Sequence, residues 1–424
     1  MFERDDTYMQ IKRDYYLNRL IEAQNDGLIK VVTGIRRCGK SYLLNTLFYD
    51  HLIQNSVRED HIIRIALDDS DNEELLNPRN LSKYIKEKII DKEIYYIILD
   101  EIQLVENFEG VLNGLLRIPN IDIYVTGSNS KFLSTDIITE FRGRGEEIRV
   151  YPLSYYEFMS VFSGDKLDGW LEYITYGGLP LVVSMKTDER KMAYLKEQQK
   201  NVYINDVIER NSIKNDAELV SLVEIISSSI GSLSNPKKLS DTFKTTANMN
   251  IDSKTVGAYL KYLEEAFLIE KAERYDVKGK KYMSTPYKFY FSDLGLRNSF
   301  INFRQNEETH IMENVIYLEL KRRGYNVDVG VVEIKEKKEN ESIYKQLEID
   351  FIANKGNNKI YIQSAFSMPT EEKQNQEERP LLKINDSFKK IIIVKDYIKR
   401  TRNESGIITM SIFDFLLDPD SLNY

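Results

Sequence analysis

Gly34-Ile35-Arg36-Arg37-Cys38-Gly39-Lys40-Ser41 matches the pattern G-x-x-x-x-G-K-[ST], and the residues around it decide how it reads. Upstream lies the β-rich run Leu28 to Thr33, and from Lys40 onward the pattern turns helical. A strand, a glycine-bearing loop and a helix start, in that order, form a cradle for phosphate. Glycines let backbone N–H groups turn inward, and the helix adds the positive end of its dipole. In such a loop Lys40 bonds the β- and γ-phosphates and Ser41 ligates Mg²⁺. The expected nucleotide-binding set is Gly34, Ile35, Arg36, Arg37, Cys38, Gly39, Lys40, Ser41 and Tyr42, with ATP and Mg²⁺ as ligands. Arg36 and Arg37 occupy positions that tolerate most side chains, and Cys38 reads as a small, semi-buried residue and not as a nucleophile. The other reading of the stretch is a glycine-rich turn with a solvated lysine.

A second motif argues against that reading. Tyr95-Tyr96-Ile97-Ile98-Leu99-Asp100-Glu101 is an apolar strand that ends in two carboxylates. Asp100 is expected to hold Mg²⁺ through a water, and Glu101 to act as the base that polarises the attacking water. A further strand, Ile121 to Thr126, runs into Gly127-Ser128-Asn129-Ser130. Asn129, and Ser128 after it, are candidates for a polar contact with the γ-phosphate or the water; a plain turn is the alternative. Arg142 and Arg144, in Phe141-Arg142-Gly143-Arg144-Gly145, are candidates to reach a neighbouring subunit's phosphates, which requires a homo-oligomer. A solvated or salt-bridged pair is the alternative.

Five β-rich runs between residues 28 and 151, namely Leu28 to Thr33, Ile62 to Leu67, Tyr95 to Leu99, Ile121 to Thr126 and Glu147 to Tyr151, alternate with helical patterns. This is the sequence form of a parallel sheet covered by helices. The expected organisation is an α/β P-loop core (1–155), a small helical subdomain (156–215), a winged helix-turn-helix (216–299) and a second α/β domain (300–424). In the third segment Val256, Leu260, Leu263 and Phe267 recur at helical spacing, with Asp252 or Ser253 as the cap, before two β-like runs around Lys278-Gly279-Lys280-Lys281. In the last, a helix from Glu313 to Arg323 precedes strands at Asn326 to Glu333, Leu347 to Asn354, Ile360 to Ala365 and Lys390 to Val394.

Composition narrows the chemistry. The 424 residues hold 42% hydrophobic and 30% charged side chains, so each segment can bury a core. One cysteine excludes an internal disulfide and, with three scattered histidines, argues against a zinc site, leaving carboxylates as metal ligands. The charged start Met1-Phe2-Glu3-Arg4-Asp5-Asp6 and the lack of a long apolar run predict a cytoplasmic protein with no membrane partner. A net charge of −8 disfavours a whole-molecule attraction to DNA but leaves local basic faces open.

Taken together, the motifs resemble those of a large prokaryotic family of ATPases, in which an AAA-type P-loop domain is followed by a DUF4143 region. Besides the segments above, the resemblance rests on Tyr151-Pro152-Leu153-Ser154, Gly177-Gly178-Leu179-Pro180, Tyr290-Phe291-Ser292-Asp293-Leu294-Gly295-Leu296-Arg297, Glu313-Asn314 and Glu348-Ile349-Asp350-Phe351. It implies an AAA+-like ATPase core, a winged helix and a C-terminal domain similar to the PD-(D/E)XK nucleases. Such a nuclease needs carboxylates on one Mg²⁺ and a nearby lysine. Glu313 and Asp350 offer two carboxylates, yet the third motif reads Gln363-Ser364-Ala365, without the acid or the lysine. The expectation is therefore a catalytically degenerate, nuclease-like domain, with a purely structural role for Glu313 and Asp350 as the alternative. DNA contact is an open expectation, through Lys278, Lys280 and Lys281 of the wing and Lys254 and Lys261 of the long helix. A protein-docking role for the winged helix is equally open. The function read from the chain is Mg²⁺-dependent ATP hydrolysis coupled to conformational change in the C-terminal region. An ATP-binding switch with little turnover and an ATP-gated nuclease are the alternatives.

Overall fold

A computed structural model describes residues 10–127, 141, 143–247, 250–304, 307–338 and 341–423, and these fall into two compact units. The first unit is the part up to Leu153, together with Leu179–Ser184 and Glu265–Phe267; the second holds Ser154–Gly178, Met185–Glu264 and everything from Leu268 on.

The first unit is organised by five strands: β1 (Ile29–Thr33), β2 (Ile62–Ala66), β3 (Tyr95–Asp100), β4 (Ile121–Thr126) and β5 (Gly145–Arg149). They pair in parallel in the order β2-β3-β4-β1-β5. Parallel strands covered on both faces must be apolar along their length, and every residue of β1 and β3 is buried. One side of the sheet packs Ile29, Val31, Ile97, Leu99, Ile123 and Val125 against Leu81 and Ile85 of the helix Pro78–Lys88 and Leu112 and Leu115 of the helix Phe108–Leu115. Each such side chain contributes roughly 1.5–3 kcal/mol of transfer free energy. Lys30, fully buried in β1, pairs with Asp122 of β4, which also accepts from Tyr124 Oη at 2.8 Å. A buried cation demands such a partner, and the pair links the neighbouring strands β1 and β4. The last strand starts earlier than the sequence suggests, because Ile29 N–H bonds the Arg144 carbonyl at 2.8 Å just before β5 begins.

In the second unit, Ser154 and Glu157 form a reciprocal capping box on the helix Tyr155–Met159, and Asp165 caps Lys166–Tyr176. That second helix stops at Gly177, whose φ of 76° suits glycine. Asp293 caps the helix Leu294–Phe300 and also accepts the Gly178 N–H at 2.7 Å. A Cβ on Gly295 would meet the Tyr176 carbonyl oxygen at 2.0 Å, and Asn298 Nδ2 donates to the carbonyls of Ile174 and Thr175. The Gly-Gly and Ser-Asp-Leu-Gly motifs thus interlock two helix ends. Residues 156–178 share a unit with 294–300 in consequence.

Three helices, Asp216–Ser228, Pro236–Thr242 and Ser253–Glu265, come before the strand pair β6 (Ile269–Asp276) and β7 (Lys281–Phe291). Val256, Leu260 and Leu263 are buried on the third helix, and Asp252 Oδ2 accepts the Lys254 N–H at its start; Phe267 lies beyond the helix end with a φ of 58°. The remaining strands are β8 (Asn326–Lys338), β9 (Glu341–Lys355), β10 (Asn358–Ala365), β11 (Lys389–Val394), β12 (Thr401–Arg402) and β13 (Ile408–Ser411). They form a mixed sheet in the order β12-β13-β11-β10-β9-β8-β6-β7. The hairpin expected as a wing is therefore also the edge of this sheet. Its strand β6 pairs in parallel with β8, so the expected boundary at 299 falls inside one hydrogen-bonded structure. Strands β12 and β13 have no counterpart in the sequence reading. No helix among the described residues is long and apolar enough to cross a membrane.

Candidate functional site

The loop after β1 is shaped by backbone conformations that ordinary residues avoid. Gly34, Arg37 and Gly39 have φ values of 140°, 62° and 102°. A Cβ on Gly34 would sit 2.1 Å from the Val150 carbonyl oxygen, so the first glycine is dictated by the chain passing behind it. Cys38 is fully buried, with its Sγ 3.4 Å from the same carbonyl; it packs under the loop, as expected of a small residue there.

A residue absent from the sequence reading fixes this loop from below. Arg13 is 2% exposed and donates from Nη1 to the Cys38 carbonyl at 3.0 Å and from Nη2 to the Tyr151 carbonyl at 2.6 Å. A single guanidinium fork thus ties the phosphate-type loop to the segment after β5. Nothing in the local pattern around Arg13 announces this, since its partners are main-chain atoms 25 and 138 residues away.

Lys40 opens the helix at the loop's end and is 5% exposed, its Nζ donating to the carbonyls of Gly34 at 3.0 Å and Ile35 at 3.1 Å. Its ammonium therefore lies inside the ring of the loop. The helix runs on through a widened π turn, Leu43–Phe48, and Asn45 of that turn donates to Asp100 Oδ2 at 3.4 Å.

Asp100 and Glu101 emerge at the end of β3, next to β1's neighbour β4. Thr126, the last residue of β4, donates its hydroxyl to Asp100 Oδ1 and accepts the Glu101 N–H at 3.0 Å. Burial pushes the Asp100 carboxyl pKa up, opposed by hydrogen bonds from Thr126 and Ser41. Ser41 and Asp100, the two expected metal ligands, are thus brought into contact. Glu101 takes a left-handed conformation, φ 53°, that a glutamate rarely adopts, and its carboxylate accepts from Gln103 Nε2. The loop whose first glycine has no room for a Cβ, an ammonium inside it, a hydroxyl and a buried carboxylate together make a donor set that fits a nucleoside triphosphate with Mg²⁺.

Asn129, Ser128 and Arg142 lie outside the described residues. Arg144 is exposed where β5 begins, at the edge of the sheet opposite the loop that follows β1, since Ile29 and Gly145 pair at one end and Thr33 and Arg149 at the other. Five residues of strand, about 16 Å, separate the two edges. The structure does not bring Arg144 to the phosphate loop of its own chain.

The second carboxylate set lies in the second unit. Glu313, on the helix Glu308–Arg322, meets Lys288 and Tyr290 of β7: Lys288 Nζ is 2.7 Å from Glu313 and 2.8 Å from Glu348 of β9. Lys288 and its partners hold Glu313 ionised against the cost of its burial. Asp350 stands at a bulge in the β8–β9 ladder, where its carboxylate accepts the Ser364 N–H at 2.7 Å. Burial, with Glu313 nearby, pushes its pKa well up. Gln363 does not join these residues. It lies between Tyr361 and Ala365 on β10 and opposite Ile392 on β11, all packed in an apolar cluster with Leu381 of the helix Glu371–Leu382. Strand alternation carries Gln363 to that same face. Lys288, which sequence reasoning missed because it belongs to a distant hairpin, supplies the ammonium beside Glu313.

A family model described as an AAA domain matches residues 26–159, and one described as a domain of unknown function (DUF8612) matches residues 167–307. The region likened above to DUF4143 thus falls, over that stretch, under a different domain. The chain is similar to an uncharacterized protein of Haemophilus influenzae, 35% identical over 413 residues that cover 96% of this chain and 98% of that protein. It is also similar to an uncharacterized protein of Methanocaldococcus jannaschii, 29% identical over 86% of this chain and 81% of that one. Among solved structures, a Walker-type ATPase of Pyrococcus abyssi is similar with a TM-score of 0.48 at 16% identity, covering 69% of this chain and 96% of that chain. The Aeropyrum pernix ORC1 protein in complex with DNA is similar with a TM-score of 0.32 at 13% identity, covering 69% and 93%.

Proposed function

The chain belongs to one family with the Haemophilus influenzae protein and carries an AAA domain of the P-loop ATPase type, and from that premise we propose that it is a Mg²⁺-dependent ATP hydrolase. The observation that carries the reading is Thr126: one hydroxyl serves Asp100 and the Glu101 N–H together, on a carboxylate that also bonds Ser41. Gly34 to Tyr42 would hold the phosphates, Lys40 would neutralise charge on the transferring phosphoryl group, and Ser41 with Asp100 would hold Mg²⁺. Held by Ser41 and Asp100, Mg²⁺ would supply charge neutralisation on the triphosphate. Glu101 orients and polarises the attacking water. Asn129 is proposed as the polar contact to the γ-phosphate or that water. Arg142 or Arg144 is proposed to act in a neighbouring subunit's site in a homo-oligomer, and the position of Arg144 supports action in trans over action in its own site.

The test is a Glu101→Gln variant. It is expected to bind ATP as tightly as wild type and to lose phosphate release by 10²-fold or more, in line with general-base removal of roughly 10²–10⁴. Equal turnover in the two proteins would remove Glu101 from the mechanism.

Hydrolysis is proposed to drive conformational change in the winged-helix and nuclease-like region. For that region we propose no cleavage of nucleic acid: Lys288 sits where its ammonium already neutralises Glu313 and Glu348, and Gln363 lies on the other face. Duplex DNA contact is proposed through Lys278, Lys280 and Lys281, around the β6–β7 turn. Duplex affinity that does not fall with salt would exclude phosphate contacts there.

A further inference from the structure

Behind the loop that follows β1 stands a short strut of main chain. The Val150 N–H bonds the Thr33 carbonyl at 2.8 Å and continues the β1–β5 pairing, which ends at Thr33 and Arg149, so the sheet holds residues 150 and 151 in place. The loop rests on this strut at two points. Gly34 has no room for a Cβ beside the Val150 carbonyl, and the Cys38 Sγ faces that same oxygen. The helix Asp14–Glu22 binds here as well: Tyr16 Oη accepts the Tyr151 N–H at 3.2 Å, and Arg19 Nη2 donates to the Glu147 carbonyl of β5 at 3.2 Å.

Arg13, the residue before this helix, reaches both strut and loop, with one prong on the Tyr151 carbonyl and the other on the Cys38 carbonyl. A planar fork with both prongs engaged has little freedom, so the direction of the Cys38 carbonyl is set by the sheet. In a planar trans peptide the N–H points opposite to the C=O. The Gly39 N–H is therefore turned away from Arg13, and Gly39, at a φ of 102°, takes a left-handed conformation from which Lys40 begins its helix. A phosphate loop binds through such N–H groups, which cradle the α- and β-phosphates.

Resting on the nucleotide-site reading above, we propose that Arg13 is a positioning residue for the nucleotide. It acts through the loop and not on the ligand: by tying the Cys38 carbonyl to the strut it keeps the Gly39 N–H set for the α- and β-phosphates. ATP and ADP both carry those phosphates, so losing the tie weakens the two alike. The loss falls on KM more than on kcat.

Binding of a fluorescent ATP analogue and of its ADP counterpart by the full chain tests this, with melting temperature and steady-state kinetics measured alongside. Arg13→Met is expected to weaken both nucleotides at least about tenfold, the size of one lost hydrogen bond to a charged group, with kcat at saturation within about threefold. Arg13→Lys, which keeps a donor and loses the fork, is expected to recover part of the affinity. Arg19→Met removes a bond of the same kind, from the same helix to Glu147, which pairs with Val31 in the middle of β1. It is expected to keep nucleotide affinity within about twofold, even where it lowers the melting temperature. A folded Arg13→Met protein with wild-type affinity overturns the proposal, as does an equal loss in Arg19→Met or a fall in kcat at unchanged affinity. Absence of nucleotide binding by wild type would remove the nucleotide-site reading itself, and this proposal with it.

Discussion

Replacing Thr126 by valine keeps the shape of the side chain and removes one oxygen. Asp100 Oδ1 then loses its donor and the Glu101 N–H its acceptor. An unsatisfied buried group costs about 1–3 kcal/mol, so Thr126→Val is expected to lower stability by that order in denaturant titration and to lower the turnover rate as well. Asp293 offers a pH test. Burial pushes its pKa up from 3.8 to about 6, although it accepts the N–H groups of Gly178 and Leu296. A carboxyl that holds its proton longer when folded makes stability fall as pH rises from about 4 to about 6, with a level course above. Asp293→Asn is expected to flatten that slope in melting curves; an unchanged slope would assign the dependence elsewhere. At this scale the sequence was most legible in Gly34, Lys40, Ser41, Asp100 and Glu101, because a motif of local spacing carries them. Arg13, Thr126 and Lys288 were not, since each acts on atoms from elements far along the chain.

At the scale of elements, strand identity was legible where a run was buried on both faces. The five parallel strands were each found to within two residues at either end, because uninterrupted Ile, Val and Tyr leave few alternatives. Register and partnership were not, since pairing is set by distant segments. Nothing in Ile269–Asp276 states that β6 will pair with β8, and the two-residue β12 is too short to carry a pattern. The β7–helix junction gives a sharp prediction. Lys288→Met leaves Glu313 and Glu348 without their buried cation, and loss of one partner of a buried pair costs roughly 3–5 kcal/mol. Denaturant unfolding is expected to show that loss. A Lys288→Met/Glu313→Gln protein is expected to recover part of it; a stability equal to wild type in the single variant would mean the cluster is not structural.

For the whole molecule, the chain divides into an AAA-domain unit built on the five-stranded sheet and a second unit built on the eight-stranded one. The first unit holds every described residue of the proposed hydrolytic set, and the second holds Lys288, Glu313, Asp350 and Gln363. Variants at Lys288 or Gln363 that remain folded are accordingly expected to keep basal ATP hydrolysis within about twofold, as expected of changes that touch no group in the hydrolytic site. The most direct test of the hydrolase assignment is steady-state phosphate release from ATP and Mg²⁺ by the full chain, beside a Lys40→Ala variant of matched stability. The structure predicts turnover by wild type that falls at least 10²-fold in the variant; release no greater in wild type than in Lys40→Ala would contradict it.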